Sequence, residues 1–512
     1  MEKLRIAVAL LAVFVTSRVI IYFRAAKRTG YLPGLRSLVT PISVFGAAIP
    51  TCRLNPGLNW QWEWRKQVYS RAGTDTISVL PWLSGTPAIY TRSFDVARQI
   101  LSTKGQFFKA PPTVAITLIW GPNIFAANGE DWKRHRRIIT PAFCNATYTS
   151  VWKETSRVVD EMVVNEGWTD KSSVEIPSIH DLTYKYAMIL IATCGFGHRL
   201  SWKLNKSSSD DMSFGEAMEI IADSHILLLV LPKWAYSLPV KRFRDAARAY
   251  RTVLSFMQNL IDTSRSGLSS GPQLQNDILS LMIESNGNEN KLTMDDSEII
   301  GNTFLLLFAG HDTTARTLDA SFAFLALHES FQEECYQEIM EVMPTEADFT
   351  FENSSRLVKV QACFLEAARM FPPGFMLIRD TAEDVVLRNV GPKGDETIMV
   401  PRNTRCVVDV IGLHHNEKQF EDPDTFNPSR WYNVHENDLT MFSLGPRACI
   451  GRRFALTEGI CYLARVLRDW KVVILPEGNE TREQWSDRVL RGYTVMNFGI
   501  GKVPIRLVRR HQ

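Results

Sequence analysis

From Ile299 to Phe324 the chain is apolar on nearly every helical face, and only a helix at the centre of a folded protein buries such a surface. Thr293-Met294-Asp295-Asp296 precedes it, with an acid three residues after a hydroxyl. That is capping-box spacing, so a helix start at Thr293 is expected. Yet the centre of the run reads Ala309-Gly310-His311-Asp312-Thr313-Thr314. Gly costs about 1 kcal/mol in a helix relative to Ala, and each buried polar group needs a partner. Either this segment serves chemistry, or it is a kink held by hydroxyls bonding back to the preceding turn. At 512 residues, 45% hydrophobic and 22% charged, the chain has material for a large core around it.

The N-terminus carries a separate signal. Ile6 to Phe23 is apolar except for Thr16, Ser17 and Arg18. About 18 residues at ~1.5 Å each span roughly 27 Å, enough for a thin bilayer. Arg18 lies near the far end, where its head reaches the interface, and Arg24, Lys27 and Arg28 supply a basic, cytoplasmic-type flank. A cleaved signal peptide is the alternative, but its apolar region is shorter and free of Arg. Tyr31-Leu32-Pro33-Gly34 then reads as a stiff turn. Residues 76–82 and 87–90, around Ser84-Gly85-Thr86, read as a β-hairpin. Ser93 caps a short helix bearing Val96, Ala97, Ile100 and Leu101. Beyond Asp131 the chain is mostly helical until Phe371; Pro372-Pro373 halts it, and short strands and loops follow.

A net charge of +3 is too mild to imply nucleic-acid binding. The eight cysteines are scattered without a Cys-x-x-Cys pair, which argues against zinc or a disulfide framework and fits a reducing compartment. Asn145, Asn205, Asn353 and Asn479 begin glycosylation sequons, which matter only with lumenal exposure. His414-His415 lacks a third ligand at metal-binding spacing and reads as structural.

One cysteine stands apart. Phe442-Ser443-Leu444-Gly445-Pro446-Arg447-Ala448-Cys449-Ile450-Gly451 sets Cys449 between glycines, with a permanent cation two residues before it. Glycines permit a tight loop and close approach to a flat ligand, so the segment presents a thiolate; a buried cysteine in a Gly/Pro turn is the plainer reading. Glu366-Ala367-Ala368-Arg369 places an acid and a base on one helix face. Trp132-Lys133-Arg134-His135-Arg136-Arg137 is a basic run in which Trp132 and Arg136 share a face. Lys133, Arg134 and Arg137 are either a cationic surface for an acidic redox partner or a solvated basic face.

Phe442, Gly445, Arg447, Cys449 and Gly451 together resemble the haem-thiolate loop of the cytochrome P450 superfamily. The resemblance implies that Cys449 is the axial ligand of a haem b iron. Ala309-Gly310-His311-Asp312-Thr313 is similar to that family's oxygen-activation motif, in which small residues open a groove for dioxygen, Thr313 holds a proton network and Asp312 relays protons. Glu366 and Arg369, with Arg430 in Phe426-Asn427-Pro428-Ser429-Arg430-Trp431, match the family's Glu-Arg-Arg network, a structural support for the cysteine loop. Trp132, Arg136, Arg379 and Arg447 match the positions that bind haem propionates, and Ala309 and Phe442 complete the cofactor contacts.

The fold implied is mainly α, a triangular α-rich domain with small β-sheets behind an N-terminal transmembrane helix. Residues 1–30 form the anchor, with the span at about 6–23, and residues 31–512 the haem-thiolate domain. A thiolate opposite dioxygen favours O–O cleavage, so the resemblance implies a monooxygenase. No flavin module follows the haem loop, and electrons are expected from NADPH through NADPH–cytochrome P450 reductase, with cytochrome b5 as a second donor. Phe375, Met376 and Val495 lie where related enzymes line the substrate pocket. The apolar run from Ile226 to Pro239 suits contact with the bilayer. Few charges in these segments favour a lipophilic neutral substrate. The layout is similar to fungal biosynthetic members, which implies a terpenoid or other specialised metabolite and an endoplasmic-reticulum enzyme facing the cytosol. A fatty-acid or sterol hydroxylase is the alternative within the family. Outside it stands a haem protein for electron transfer or gas sensing, against which Asp312 and Thr313 speak.

Overall fold

Asp295, rather than Thr293, opens the central helix. In the computed structural model its carboxylate accepts from the Glu298 N–H at 2.9 Å, and the Glu298 side chain accepts from the Asp295 N–H at 3.1 Å. The capping box is therefore displaced by two residues from the expected one. A carboxylate caps as well as a hydroxyl and adds a favourable charge at the helix N-terminus. The helix runs Asp296–Leu327. The structure describes residues 1–102, 105–203, 212–266, 277–286, 292–389, 396–434 and 440–510. The sequon at Asn205 lies outside them.

The chain divides into two units, the larger formed by Pro111–Pro373, Thr425–Phe442 and Cys449–Gln512. In this unit the central helix packs against helices His180–Leu190, Val358–Met370 and Arg452–Asp469. Its all-round apolar surface is thereby covered, at about 1.5–3 kcal/mol for each fully buried Leu or Phe side chain. Beyond Ile300, the helix residues that escape full burial are Ala309, Gly310, Thr313 and Ala326. Three of those four fall in the motif that the sequence singled out. An antiparallel sheet, in the order Trp470–Ile474, Ile505–Arg509, Ser173–Ile176, closes one side of the unit, and Tyr493–Thr494 pairs with Phe498–Gly499 in a small hairpin.

Helix Val358–Met370 carries the main buried ion pair. Arg369 donates to both oxygens of Glu366, at 2.9 and 2.8 Å, and both side chains are fully buried. Arg430 Nε donates to Glu366 at 3.2 Å, Trp431 Nε1 at 2.8 Å and the Asn427 N–H at 3.0 Å. One carboxylate thus meets donors from its own helix and from the 427–431 segment, which is how a charge is kept inside a protein.

The smaller unit comprises Met1–Ala110, Gly374–Asp424 and Ser443–Ala448. Its six-stranded sheet has the order Gly34–Val39, Thr76–Ser84, Ala88–Thr91, Arg405–Asp409, Met376–Thr381, Phe107–Phe108. The expected hairpin is present, with Thr76 opposite Thr91 and Val79 opposite Ala88. It is the middle of this sheet and not a free-standing ribbon, because Ile77, Val79, Ile89 and Tyr90 are buried and need neighbours on both edges. Ser93 Oγ accepts from the Val96 N–H at 3.4 Å and caps Phe94–Ser102 as its sequence indicates.

The N-terminal helix Glu2–Arg28 is long and apolar enough to cross a membrane, and its apolar window is unburied. Arg18 donates to the Leu83 carbonyl at 2.8 Å and Tyr22 meets Trp82 at 5.7 Å, so the far end of this helix rests on the sheet.

Removing Arg369 strands Glu366 as a buried anion, which typically costs about 3–5 kcal/mol. Arg369→Ala should therefore lower haem-loaded yield and thermal stability together. Normal loading with selectively lost turnover would show that the pair acts in chemistry instead.

Candidate active site

The larger unit holds most of the residues that the sequence singles out. The Cys449 N–H donates to the Phe442 carbonyl at 2.9 Å, which closes the cysteine loop. Gly451, with no neighbouring atom closer than 3.8 Å to an added Cβ, leads directly into helix Arg452–Asp469. Cys449 is exposed, yet desolvation by the surrounding protein raises its thiol pKa; the Gly451 N–H and the charges of Arg136 and Arg452 act in the opposite sense. Arg136 is half-buried, as is Trp132 four residues earlier on helix Gly129–Ile139. Burial lowers the Arg136 pKa while Cys449 raises it, so the guanidinium is within electrostatic reach of the sulfur.

Helix Gly129–Ile139 is fastened to the central helix. Arg134 forms a two-pronged bond with Glu298, at 2.8 and 2.6 Å, and His135 Nε2 lies 3.1 Å from the same carboxylate. The Arg134 bond holds the Glu298 pKa down at about 2. Arg134 is thus a clamp between helices and not a free surface cation. Lys133 pairs with Glu130, and Arg137 remains exposed.

On the central helix, Thr313 Oγ1 donates to the Ala309 carbonyl at 2.9 Å, and both groups lie where the helix is open. The back-bond uses the hydroxyl hydrogen and leaves the oxygen's lone pairs to accept. Gly310 serves packing: an added Cβ would come within 2.7 Å of Ile191. The expected groove therefore falls at Ala309 and Thr313, while Gly310 allows the Ile191–Gly195 segment, a π-helical turn, to approach. Asp312 is buried at 2% exposure and faces Arg316 at 3.0 Å.

Two features escaped the sequence reading here. Thr314 Oγ1 donates at 2.6 Å to Glu458, which is fully buried on the helix after the cysteine loop. Burial pushes the Glu458 carboxyl well above the ordinary value, the Thr314 bond opposing it, and its second oxygen has no hydrogen-bond partner among the described residues. The charged form of Glu458 is accordingly disfavoured beside the motif. Its spacing, nine residues after Cys449 and on the buried face of an amphipathic helix, was the available signal. Asn497 is the second, donating to Asp312 at 2.6 Å.

The smaller unit contributes a cluster of cations. Arg379 and Arg447 have pKa values pushed down to about 10, by burial and, for Arg379, by the neighbouring Arg447. Lys109, also buried, is lowered further by burial and by both arginines. Lys109 was not foreseen, because a single lysine between Phe108 and Ala110 carries no spacing signal. Gly445 adopts φ +72°, and an added Cβ would lie 2.7 Å from the Leu101 carbonyl, so this turn requires glycine. Phe375 is buried and Met376 packs among Trp60, Tyr69 and Val407; Val495, in the larger unit, is half-buried in its hairpin. His415 is engaged by Asp424 at 3.0 Å, and no group of metal ligands occurs among the described residues.

A family model described as cytochrome P450 matches residues 77–492. The chain belongs to the cytochrome P450 family. Cytochrome P450 monooxygenase 124 of Postia placenta is 31% identical over 95% of this chain and 96% of that protein. Cytochrome P450 monooxygenase AOL_s00215g278 of Arthrobotrys oligospora is 25% identical over 84% and 82%, and leukotriene-B4 omega-hydroxylase 3 of Mus musculus 26% over 82% of each. The crystal structure of the cytochrome P450DA heme domain superposes with a TM-score of 0.72 at 19% identity, covering 94% of this chain and 98% of that one, so the fold is the P450 fold.

The family's cofactor is haem iron, and the donor chemistry of this P450 fits it. An exposed cysteine whose thiol is disfavoured as an anion by its surroundings gains from a metal cation at the sulfur. Buried cations whose pKa values neighbouring arginines depress, as Lys109 and Arg379 are beside Arg447, suit a ligand bearing carboxylates.

Because the folded-state pKa of Glu458 lies above the ordinary 4.5, the fold binds a proton that the unfolded chain releases. Stability should fall as pH rises from about 4.5 towards the folded pKa, by about 1.4 kcal/mol per unit. Glu458→Gln keeps the acceptor for Thr314 and removes the ionisation. Relative to the parent it should gain stability with rising pH in denaturation series from pH 4 to 8. Parallel profiles would show that Glu458 is ionised in the native protein.

Proposed function

We propose that this P450 is a membrane-anchored monooxygenase that hydroxylates a lipophilic small molecule, most simply a terpenoid or other specialised metabolite of a fungus. The overall reaction is RH + O2 + NADPH + H+ → ROH + H2O + NADP+, with electrons passed from NADPH by a separate reductase and cytochrome b5 as an auxiliary donor. The observation that carries this reading is the opening of an otherwise buried helix at Ala309, Gly310 and Thr313, in the same unit as the exposed Cys449. Haem bound through Cys449 supplies the reduction of dioxygen and the oxidation of the C–H bond.

The chain's own residues do the rest. Cys449 holds the iron, and Trp132, Arg136, Arg379 and Arg447 bind the haem carboxylates, with Lys109 added to that set. Thr313 offers a hydroxyl oxygen at the open face of the helix, and Asp312 next to it is the group through which protons pass. Ala309 leaves room beside that hydroxyl. Glu366, Arg369 and Arg430 are support, and Phe375, Met376 and Val495 border the substrate. The fungal monooxygenases among the relatives support the specialised-metabolite reading. The resemblance to a leukotriene hydroxylase favours a second one, oxidation of a fatty-acid-like chain. Expression with a reductase, followed by a search of lipid extracts for mass gains of one oxygen, separates the two by the compound that is consumed.

Residues 1–24 anchor the protein in the endoplasmic reticulum with its globular part in the cytosol. The sequons at Asn145, Asn205, Asn353 and Asn479 should therefore stay unmodified in cells. A gel shift on glycosidase treatment would place them in the lumen and reverse the orientation.

Positioned proton transfer contributes about 10²–10⁴-fold to a step. Thr313→Ala should retain haem and substrate binding while product formed per NADPH drops and hydrogen peroxide rises. Thr314 is a poor substitute, since its hydroxyl is committed to Glu458. Undiminished coupling in Thr313→Ala would remove this threonine from the mechanism.

A further inference from the structure

Asp312 is held more firmly than a helix ion pair four residues apart ordinarily is. Arg316 Nε lies 3.0 and 3.2 Å from its two carboxylate oxygens, and the side chains are 2% and 8% exposed. Exposed pairs of this spacing contribute little, but a buried one leaves an uncompensated charge when broken. Asn497 Nδ2 donates to Asp312 Oδ2 at 2.6 Å from another part of the chain, the hairpin in which Tyr493–Thr494 pairs with Phe498–Gly499. That hairpin also holds the guanidinium. Arg316 lies 5.8 Å from the Tyr493 ring centroid, and a Cβ at Gly499 would sit 3.0 Å from its Nη1 and 3.2 Å from its Cδ. The hairpin is itself anchored by the Phe498 N–H on the Pro373 carbonyl at 3.0 Å. Successive helix residues point about 100° apart, so the face on which Asp312 is clamped differs from the open face of Thr313.

We propose that Arg316 and Asn497 are positioning residues for proton delivery, holding the Asp312 carboxylate in one place behind Thr313 so that protons pass through a single defined route. The proposal rests on the reading of Asp312 and Thr313 as the proton-handling pair. Other titratable groups face Asp312 as well: His311 on its own helix, and His180 and Tyr184 on helix His180–Leu190, while Tyr493 on the hairpin faces Arg316. His180 is committed to Asp319 at 2.6 Å. Burial lowers the His311 pKa, leaving it a neutral neighbour at pH 7. Charge compensation of Asp312 therefore falls to Arg316. The four-residue spacing from Asp312 to Arg316 was the available sequence signal for the pair, whereas nothing in the sequence links Asn497 to it.

The test compares the full-length holoenzyme with Asp312→Asn, Arg316→Gln, Arg316→Lys and Asn497→Ala, first by infrared spectroscopy with isotopically labelled aspartate. The parent should show no protonated carboxyl band from Asp312 between pH 5 and 8. Arg316→Gln should gain one, and it should vanish in Arg316→Gln with Asp312→Asn. With reductase and substrate, the ratio of peroxide to product should rise about 10- to 100-fold in Arg316→Gln, the size of effect that misplacing a reacting group produces. It should rise less in Asn497→Ala, with partial recovery in Arg316→Lys. If Arg316→Gln does not load haem, Asn497→Ala, which keeps the ion pair, decides alone. Parental coupling in Asn497→Ala and Arg316→Gln, with impaired Asp312→Asn, would overturn the positioning role and leave Asp312 in the mechanism. Parental coupling in Asp312→Asn would overturn both.

Discussion

The Glu366 carboxylate is the constraint on which the rest of the larger unit depends. It is fully buried, and it accepts from Arg369, Arg430, Trp431 and the Asn427 backbone. A buried anion with that many donors has few arrangements open to it, because each lost donor leaves a desolvated charge. Helix Val358–Met370 and the 427–431 segment are therefore fixed to each other. The chain that follows reaches Phe442, whose carbonyl receives the Cys449 N–H. The proposed role of this ion network is to support the placement of that loop.

The central helix applies the same economy of polar groups to a different end. Several of its buried hydroxyls and amides are satisfied locally: Thr317 bonds to the Thr313 carbonyl, Ser321 to Thr317, and Asn302 to Glu298. Thr303 Oγ1 is buried without a partner among the described residues, and further exceptions lie around the motif. Thr313 is open, Glu458 keeps an unpartnered oxygen, and His311 Nε2 is buried without a partner among the described residues. Unsatisfied groups are costly in a core, which fits the proposal that the stretch around Asp312 serves chemistry. Burial disfavours the Asp312 carboxylate, and Arg316, His311 and Asn497 act in the opposite sense, so that its pKa lies below the ordinary value.

The central helix was legible because it rests on a local apolar pattern, and the fold class followed from the family resemblance that the cysteine loop and the other motifs carry. The Glu366–Arg369 pair was visible as an acid and a base three residues apart, and the structure joins it to Arg430. Contacts that depend on tertiary approach were not visible. Arg134 resembled a surface cation until Glu298 came within bonding distance. Glu458 resembled one more charge on an amphipathic helix, and Lys109 had no pattern at all. The start of the central helix was misplaced by two residues because Thr293 and Asp295 both satisfy the capping rule, and only the direction of the incoming chain separates them. Gly310 carried a signal whose meaning changed: a small residue was required, but by Ile191 across the helix interface.

The proposed role of Cys449 as the ligand of a haem iron is tested most directly by the reduced, carbon-monoxide-bound spectrum of the purified full-length protein. The parent should show the red-shifted Soret band of thiolate ligation, and Cys449→Ser should lose that band while Cys461→Ser and Cys144→Ser keep it. A Cys449→Ser protein that retains the thiolate band would contradict the assignment.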